Sequence, residues 1–390
     1  MSRCVIGSIA VRFPCGVNYQ SFGYILWVMS HGDRYGPMRP NQSNEGSFVV
    51  SPRTNVSRQI YLAARPRGVP RLRDFVTVDV EVSNPMQGQV LVRNLWMSLD
   101  PALRKRLHGQ DSYMPGIGVG EPLDGAAVGE VIASELDGVP TGSIVVHRAG
   151  WRDLALVDGS APEAVRVLDI ASAPAEAYLG VLGHTGFSAY IGMRHLADLH
   201  SGDVVLVSGA AGAVGSVAGQ LARRGGCHVI GSVGSDAKVR YVVEELGFDA
   251  AFNYAKETVE EALSRLAPEG IDVYFDNVGG DHLNGAIAAA RAHARFVLCG
   301  AVSNYHCEEA VGIREPFAIV AKRLRLSGFL VQDHPRLRQT FEREMGKLVA
   351  AGDVVEHRTT VNGLDHAIEA FIAMLNGANV GKALVRLGNQ

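Results

Sequence analysis

Cysteine is scarce in this chain of 390 residues: Cys4, Cys15, Cys227, Cys299 and Cys307 are all it has. The count is odd and no CxxC pair occurs, which argues against a disulfide framework and for a reduced, cytoplasmic setting. Metal-ligand spacing is missing too, since the 13 histidines form neither HxH nor HxxxH. Zinc sites draw three or four Cys, His or carboxylate ligands together, so no metal is expected. No sign of charge dominates. With 37 Lys and Arg against 40 Asp and Glu, the net charge is -3. That excludes a broad attraction to nucleic acid or to an anionic membrane. No apolar run nears the roughly 20 residues of a membrane span. Phe22 to Met29 is apolar, but Gly23 interrupts it and His31-Gly-Asp-Arg34 is a poor cleavage site, so it does not read as a signal peptide.

Apolar residues, in contrast, make up 47% of the chain, enough for a substantial core, and the length suggests two domains. The most informative stretch is Asp203 to Lys238. Asp203-Val-Val-Leu-Val-Ser208 reads as a buried parallel strand. Gly209-Ala-Ala-Gly212-Ala-Val-Gly215 follows, then a helical Ser216 to Arg224, then a second strand from His228 to Ser232. Strand, glycine turn, helix and strand form a dinucleotide-binding βαβ unit. Glycines allow the backbone to approach a pyrophosphate, and N–H groups at the helix start receive its charge. Gly212, Ala213, Val214 and Gly215 are the residues expected there. An NAD site usually carries an acid about 20 residues after the glycines. Here that place reads Ser232-Val-Gly-Ser235, and Asp236 belongs to the first turn of the next helix. Lys238 is available to a 2′-phosphate, which predicts NADPH.

From Arg58 to about Leu179, short strand-like runs alternate with Gly and Pro, as in Gln59–Ala63, Phe75–Asp79, Gln89–Leu95, Ala126–Ile132 and Gly142–His147. This spacing suggests an antiparallel barrel. Beyond the first βαβ unit, strands near 250–253, 271–275, 295–299 and 324–329 alternate with helices near 258–267, 283–291 and 317–323. Such alternation implies a doubly wound parallel sheet, and therefore an α/β protein. Residues 1–56 differ from the rest: Arg39 to Gly46 is polar and turn-rich and no amphipathic period is sustained, so the segment reads as a disordered extension or a mis-assigned start.

Five motifs occur in order: Ala210 to Ala222, Gly234 to Lys238, Gly247 to Tyr254, Tyr274 to Gly280 and Cys299 to Tyr305. With them the chain resembles the zinc-independent medium-chain dehydrogenase/reductases. Within these it is similar to the leukotriene B4 12-hydroxydehydrogenase/prostaglandin reductase group, which includes alkenal and curcumin double-bond reductases. The resemblance starts near Ser57. It implies a GroES-like β-barrel over 57–180, a Rossmann domain over 181–357, and a return to the first domain over 358–390. It also implies a homodimer and hydride transfer from NADPH to the β-carbon of an enone or enal. Tyr305 corresponds to the tyrosine that reaches substrate and cofactor. Tyr254 corresponds to a tyrosine beside the 2′-phosphate, Asn277 and Asn379 to cofactor contacts. Cys299, Gly300, Ala301, Val302 and Ser303 lie along the cofactor, and Phe329, Leu330 and Val331 hold the nicotinamide carboxamide. Taken singly, the asparagines also read as turn formers, Lys238 as a solvated helix residue, Tyr254 as core and Tyr305 as loop. Quinone reduction, or cofactor binding without turnover, are the rival implications. Many members carry Tyr after Asp-Pro where this chain has Ala102, so a roomier cleft is expected.

Overall fold

The computed structural model describes residues 4–6, 9–11, 55–109, 114–161, 163–305 and 311–388. The first nine strands are β1 (Cys4–Ile6), β2 (Ile9–Val11), β3 (Asn55–Leu62), β4 (Phe75–Val82), β5 (Gln89–Ser98), β6 (Ala127–Ser134), β7 (Ile144–His147), β8 (Leu154–Asp158) and β9 (Val165–Val167). A short helix, α1 (Leu103–Leu107), follows β5. β3 and β4 pair antiparallel along all their length, and β1 and β2 extend that sheet through Val11 and Val80. Of the segment before residue 57, the described part is thus strand: β1, β2 and the first two residues of β3. The stretch 22–29 lies outside the described residues.

A second sheet has β5 at its centre, flanked by β6 and β8. Bridges from Gln59 to Arg152 and from Tyr61 to Pro122 join β3 to it and close the barrel. The barrel core is Ile60, Leu62, Met97, Leu123, Ala127 and Trp151, with Trp151 edge-on to Phe371 at 5.7 Å between centroids.

Helix α2 (His184–Ile191) leads into the second domain. There the order is β10 (Val204–Ser208), α3 (Gly215–Arg224), β11 (His228–Val233), α4 (Asp236–Arg240), β12 (Ala250–Asn253), α5 (Val259–Leu266), β13 (Ile271–Asp276), α6 (Gly280–Ala289), β14 (Ala290–Leu298), α7 (Pro316–Lys322) and β15 (Arg325–Gly328). The six strands are parallel, in the order β12-β11-β10-β13-β14-β15. Alternate residues serve opposite faces, as strand geometry requires. Val205, Val207, Val273 and Phe275 pack on one side; Leu206, Ile230, Tyr274 and Phe296 pack on the other. Both faces are therefore covered by helices, which is why these strands are apolar without interruption.

The chain then runs through α8 (Arg338–Ala350), β16 (Arg358–Asn362), α9 (Ala367–Leu375) and β17 (Lys382–Arg386). β17 pairs antiparallel with β5, and β16 pairs parallel with β17, so the C-terminal strands complete the barrel sheet. The chain winds outward from β10 to β12, then crosses back to β13 beside β10. Such a reversal opens a crevice at the carboxyl ends of the two strands.

Candidate active site

Four donors fix the floor of that crevice. The Asp276 Oδ1 oxygen accepts from Ser208 Oγ at 3.0 Å, Tyr274 OH at 2.7 Å, and the Val278 and Gly279 amides at 2.8 Å each. Burial and the nearby carboxylate push the Tyr274 phenol well above its ordinary range, so it remains a donor. Ser208 and Asn277 stitch β10 to β13: the Asn277 amide donates to Ser208 Oγ at 2.9 Å, and its side chain donates to Ser208 O at 2.7 Å. The Asp276 carbonyl then accepts the Cys299 and Gly300 amides, while Asn277 O accepts Val302 and Val278 O accepts Ser303. The Ser303 hydroxyl adds a bond to Val278 O at 2.6 Å. One buried carboxylate thus sets the ends of three strands, and with them the path from Cys299 to Tyr305. Ala301 lies in that path, over Gly279.

Beside this floor, Gly209 turns the chain at φ +59°. Gly215 opens α3, and a Cβ there would lie 2.4 Å from Gly209 O. That position therefore has no room for a side chain. Gly381, just before β17, donates to Ala211 O at 2.7 Å and bridges Gly212. Asn379 folds over the same junction, donating to Gly381 O at 2.9 Å. Lys238 of α4 reaches across to Gly377 O at 2.7 Å. Burial holds its ammonium below the ordinary lysine range. Asp236 is engaged elsewhere, accepting from Asn253 Nδ2 at 2.9 Å and Lys256 Nζ at 2.5 Å. Tyr254 lies against Gly234 and edge-on to His282, with 47% of its surface exposed. Lys238, Tyr254, Asn379 and the glycine turn accordingly form one rim with an anion-seeking character. An acid able to take a ribose 2′-OH faces away from it.

The cleft proper lies between the domains, with a volume near 420 Å³. Val214, Asn277, Cys299, Gly300, Val302, Tyr305 and Val331 line it from the nucleotide side. Phe329 and Leu330 precede Val331 at the end of β15 and do not line it themselves. Burial, then Asp276, push the Cys299 thiol up to about 12, so it stays protonated. Opposite stand Ser98, Asp100, Ala102, His147, Arg148 and Trp151. Ala102 faces the cleft directly, with no aromatic ring at that position. Asp100 accepts from Ser98 Oγ at 2.5 Å and from Lys382 Nζ at 2.7 Å. Burial alone would raise its carboxyl, but Lys382 and Ser98 outweigh it and hold it below the carboxylate range.

Two residues are marked by no motif: His184, which lines the cleft, and Lys382, which lies behind Asp100. His184 begins α2, inside the apolar run Val181 to Tyr190. Lys382 is 2% exposed and arrives on a strand 282 residues away from Asp100. Each is a single polar residue in an otherwise apolar segment, His184 exposed and Lys382 buried.

The chain matches the family model described as N-terminal domain of oxidoreductase over residues 58–165, and the one described as zinc-binding dehydrogenase over 213–351. Among the described residues no group of three or more His, Cys, Asp or Glu is placed to hold a metal. NADPH-dependent curcumin reductase of Escherichia coli is 34% identical over 85% of this chain and 97% of its own length. The NADP(+)-dependent 2-alkenal reductase of Nicotiana tabacum is 33% identical over 86% of this chain and 98% of its own. The structure of CurA from Vibrio vulnificus in complex with NADPH superposes with a TM-score of 0.80 at 33% identity, covering 85% of this chain and all of that one. A quinone oxidoreductase of E. coli, at 20% identity and a TM-score of 0.70, shares the fold alone. Fold, cleft and relatives agree: the chain belongs to the zinc-independent medium-chain dehydrogenase/reductases, in the group that contains the curcumin, alkenal and prostaglandin reductases.

Proposed function

We propose that the protein is an NADPH-dependent reductase of the C=C bond of α,β-unsaturated ketones or aldehydes. The observation that carries this reading is the cleft between the domains, in which Tyr305 and the ends of β13 and β14 face the barrel wall, beside a glycine turn rimmed by Lys238. The donor set fits the cofactor. The backbone at Gly212, Ala213, Val214 and Gly215 suits a pyrophosphate. Lys238 and Tyr254 suit a 2′-phosphate, and Asn379 closes that rim. Asn277, Cys299 to Ser303, and Phe329 to Val331 flank the nicotinamide half. When bound, NADPH supplies a hydride to the β-carbon. The chain's own part is to hold the enone between the domains. Negative charge develops on the substrate's carbonyl oxygen, and Tyr305 OH is the donor directed at it. The α-carbon takes its proton from water.

Quinone reduction, the alternative, has only fold-level likeness behind it. With deuterated NADPH and a simple enone, label is expected on the β-carbon of a saturated ketone. Label on the carbinol carbon of an allylic alcohol would reject the reading for carbonyl reduction, and label on no enone at all would move it to quinones or to binding without turnover.

The partner is a small enone or enal rather than nucleic acid, and the setting is the cytoplasm. No helix among the described residues is long and apolar enough to cross a membrane. A second copy is the expected protein partner. Among the described residues strand β15 ends its sheet with an open edge, and α7 beside it exposes Phe317 at 72% and Val320 at 64%. An open edge next to an apolar patch favours isologous pairing across a two-fold axis.

A further inference from the structure

Two histidines line the cleft, and their surroundings differ. His147 uses both ring nitrogens: Nε2 bonds Asn94 Oδ1 at 2.9 Å, and Nδ1 accepts the Ala149 amide at 3.1 Å. It is saturated by its own chain and 2% exposed. His184 is the opposite. It stands at the start of α2 and is exposed, and the space it lines is the cleft. Neither of its ring nitrogens bonds another described residue. An exposed ring without a protein partner is left to water or to a ligand. Here the place of that partner is the substrate's.

Its charge state follows from the neighbours. Desolvation by the cleft walls lowers the imidazole to about 4. Asp100 opposes this, while Arg148, Arg338 and Lys382 add to it. At neutral pH the ring is therefore uncharged, with one N–H donor and one acceptor nitrogen. A neutral imidazole is a poor proton source but a good donor to an oxygen that is gaining charge, and it keeps its proton afterwards.

We propose that His184 is a second catalytic donor of this cleft, directing its ring N–H at the carbonyl oxygen of the enone from the barrel-facing side while Tyr305 approaches from the nucleotide side. The inference rests on the enone-reductase reading. The balance is simple. The new C–H bond forms at the β-carbon, and the π pair moves toward the carbonyl, whose oxygen gains the charge. Water then protonates the α-carbon. His184 neither loses nor gains a proton. Two donors on one developing oxyanion is the usual number where such charge must be held.

The test compares wild type with His184→Leu and His184→Gln on a simple unsaturated methyl ketone. Leu removes the donor; Gln restores an N–H at similar reach. His184→Leu is expected to lower kcat/KM about 10- to 100-fold, with partial recovery in Gln. Inhibition by the saturated ketone product should weaken in parallel. NADPH affinity should stay within about twofold, since the imidazole faces substrate. Wild-type kcat/KM should show no step from this group between pH 5.5 and 8. A steady fall with rising pH, cured by His184→Gln, would mean that the imidazolium acts as an acid and would overturn the neutral-donor role. Full activity in His184→Leu would overturn the proposal outright, as would a loss matched by lost NADPH affinity. A Leu variant that fails to fold leaves Gln as the arbiter: there the ketone inhibition constant must stay within an order of magnitude of wild type. If wild type itself reduces no enone, it is the underlying reading that fails instead.

Discussion

Single side chains in this cleft divide into those that hold the protein together and those that face outward from it. Lys382 holds. It donates to Leu99 O at 3.0 Å and Asp100 Oδ1 at 2.7 Å while 2% exposed. Lys382→Met should lower unfolding free energy by about 2–3 kcal/mol in urea titration, less than the 3–5 of a wholly buried pair because Asp100 opens on the cleft. His147 holds as well, and burial, with Arg152, lowers its imidazole to about 3. The unfolded ring takes a proton below pH 6.5 or so, and the folded ring does not. Its contribution is thus complete above that value and is lost as pH falls toward about 3. At pH 5 the loss is about 2 kcal/mol, visible as a smaller pH 7-to-5 difference in His147→Gln. Tyr305 lines the cleft. Tyr305→Phe should reduce turnover about 100- to 1000-fold, or less if His184 shares the oxygen, with NADPH affinity nearly unchanged. Val214, Asn277, Cys299, Gly300, Val302 and Tyr305 could be read in sequence because each stands in a local motif with a strand end to point it. Lys382 and His184 could not, because their partners come from elsewhere in the chain.

Elements were legible wherever period and punctuation agreed. Strand β10, the glycine turn and α3 fall within a residue of the expected bounds, since an apolar run, three glycines and a helical stretch mark them independently. The join of α6 and β14 is less so. Helix was expected from 283 to 291 and strand from 295, yet α6 begins at Gly280 and β14 at Ala290. Asp276 caps the preceding turn through the Val278 and Gly279 amides and starts the helix early. His293 at φ 67° and a register shift between Ile271 and Val273 absorb the extra residues. Alanine-rich sequence from 286 to 294 has no period to mark such a change. The junction at Gly381 is legible only in space. Its φ is +65°, and a Cβ would stand 1.9 Å from His357 O. Gly381→Ala must therefore displace the start of β17 and its bond to Ala211 O. The expected result is a loss of roughly 1–3 kcal/mol in stability together with weaker NADPH binding, read by thermal melts and by cofactor titration. Strain that stays local would lower the melting temperature alone.

At the scale of the whole molecule, the barrel and the parallel sheet follow from strand spacing and from strand–helix alternation. The closing of the barrel by β16 and β17 follows only from the resemblance, because no local signal tells a final strand which sheet to join. Assembly is a further step. Four residues, Arg325 to Gly328, form the outer strand β15, paired on one side with β14 and, among the described residues, open on the other. Unpaired edges are normally blunted by charge, proline or cover. Here Arg325 is the one charged residue of the strand, and the adjoining α7 adds apolar Phe317 and Val320, three residues apart on one helix face. Two copies meeting edge to edge would cover both features with one symmetric contact and leave each cleft open, since β15 lies at the far side of the sheet from β12 and the cleft is built on β10, β13 and β14. Light scattering should therefore give twice the chain mass of 41.7 kDa for wild type. Phe317→Glu combined with Val320→Asp buries two charges in that contact and should give the single-chain mass, with the melting temperature of the isolated subunit and NADPH binding retained. A wild-type mass of one chain at micromolar concentration would reject the dimer. A dimer that survives both substitutions would place the contact on another face.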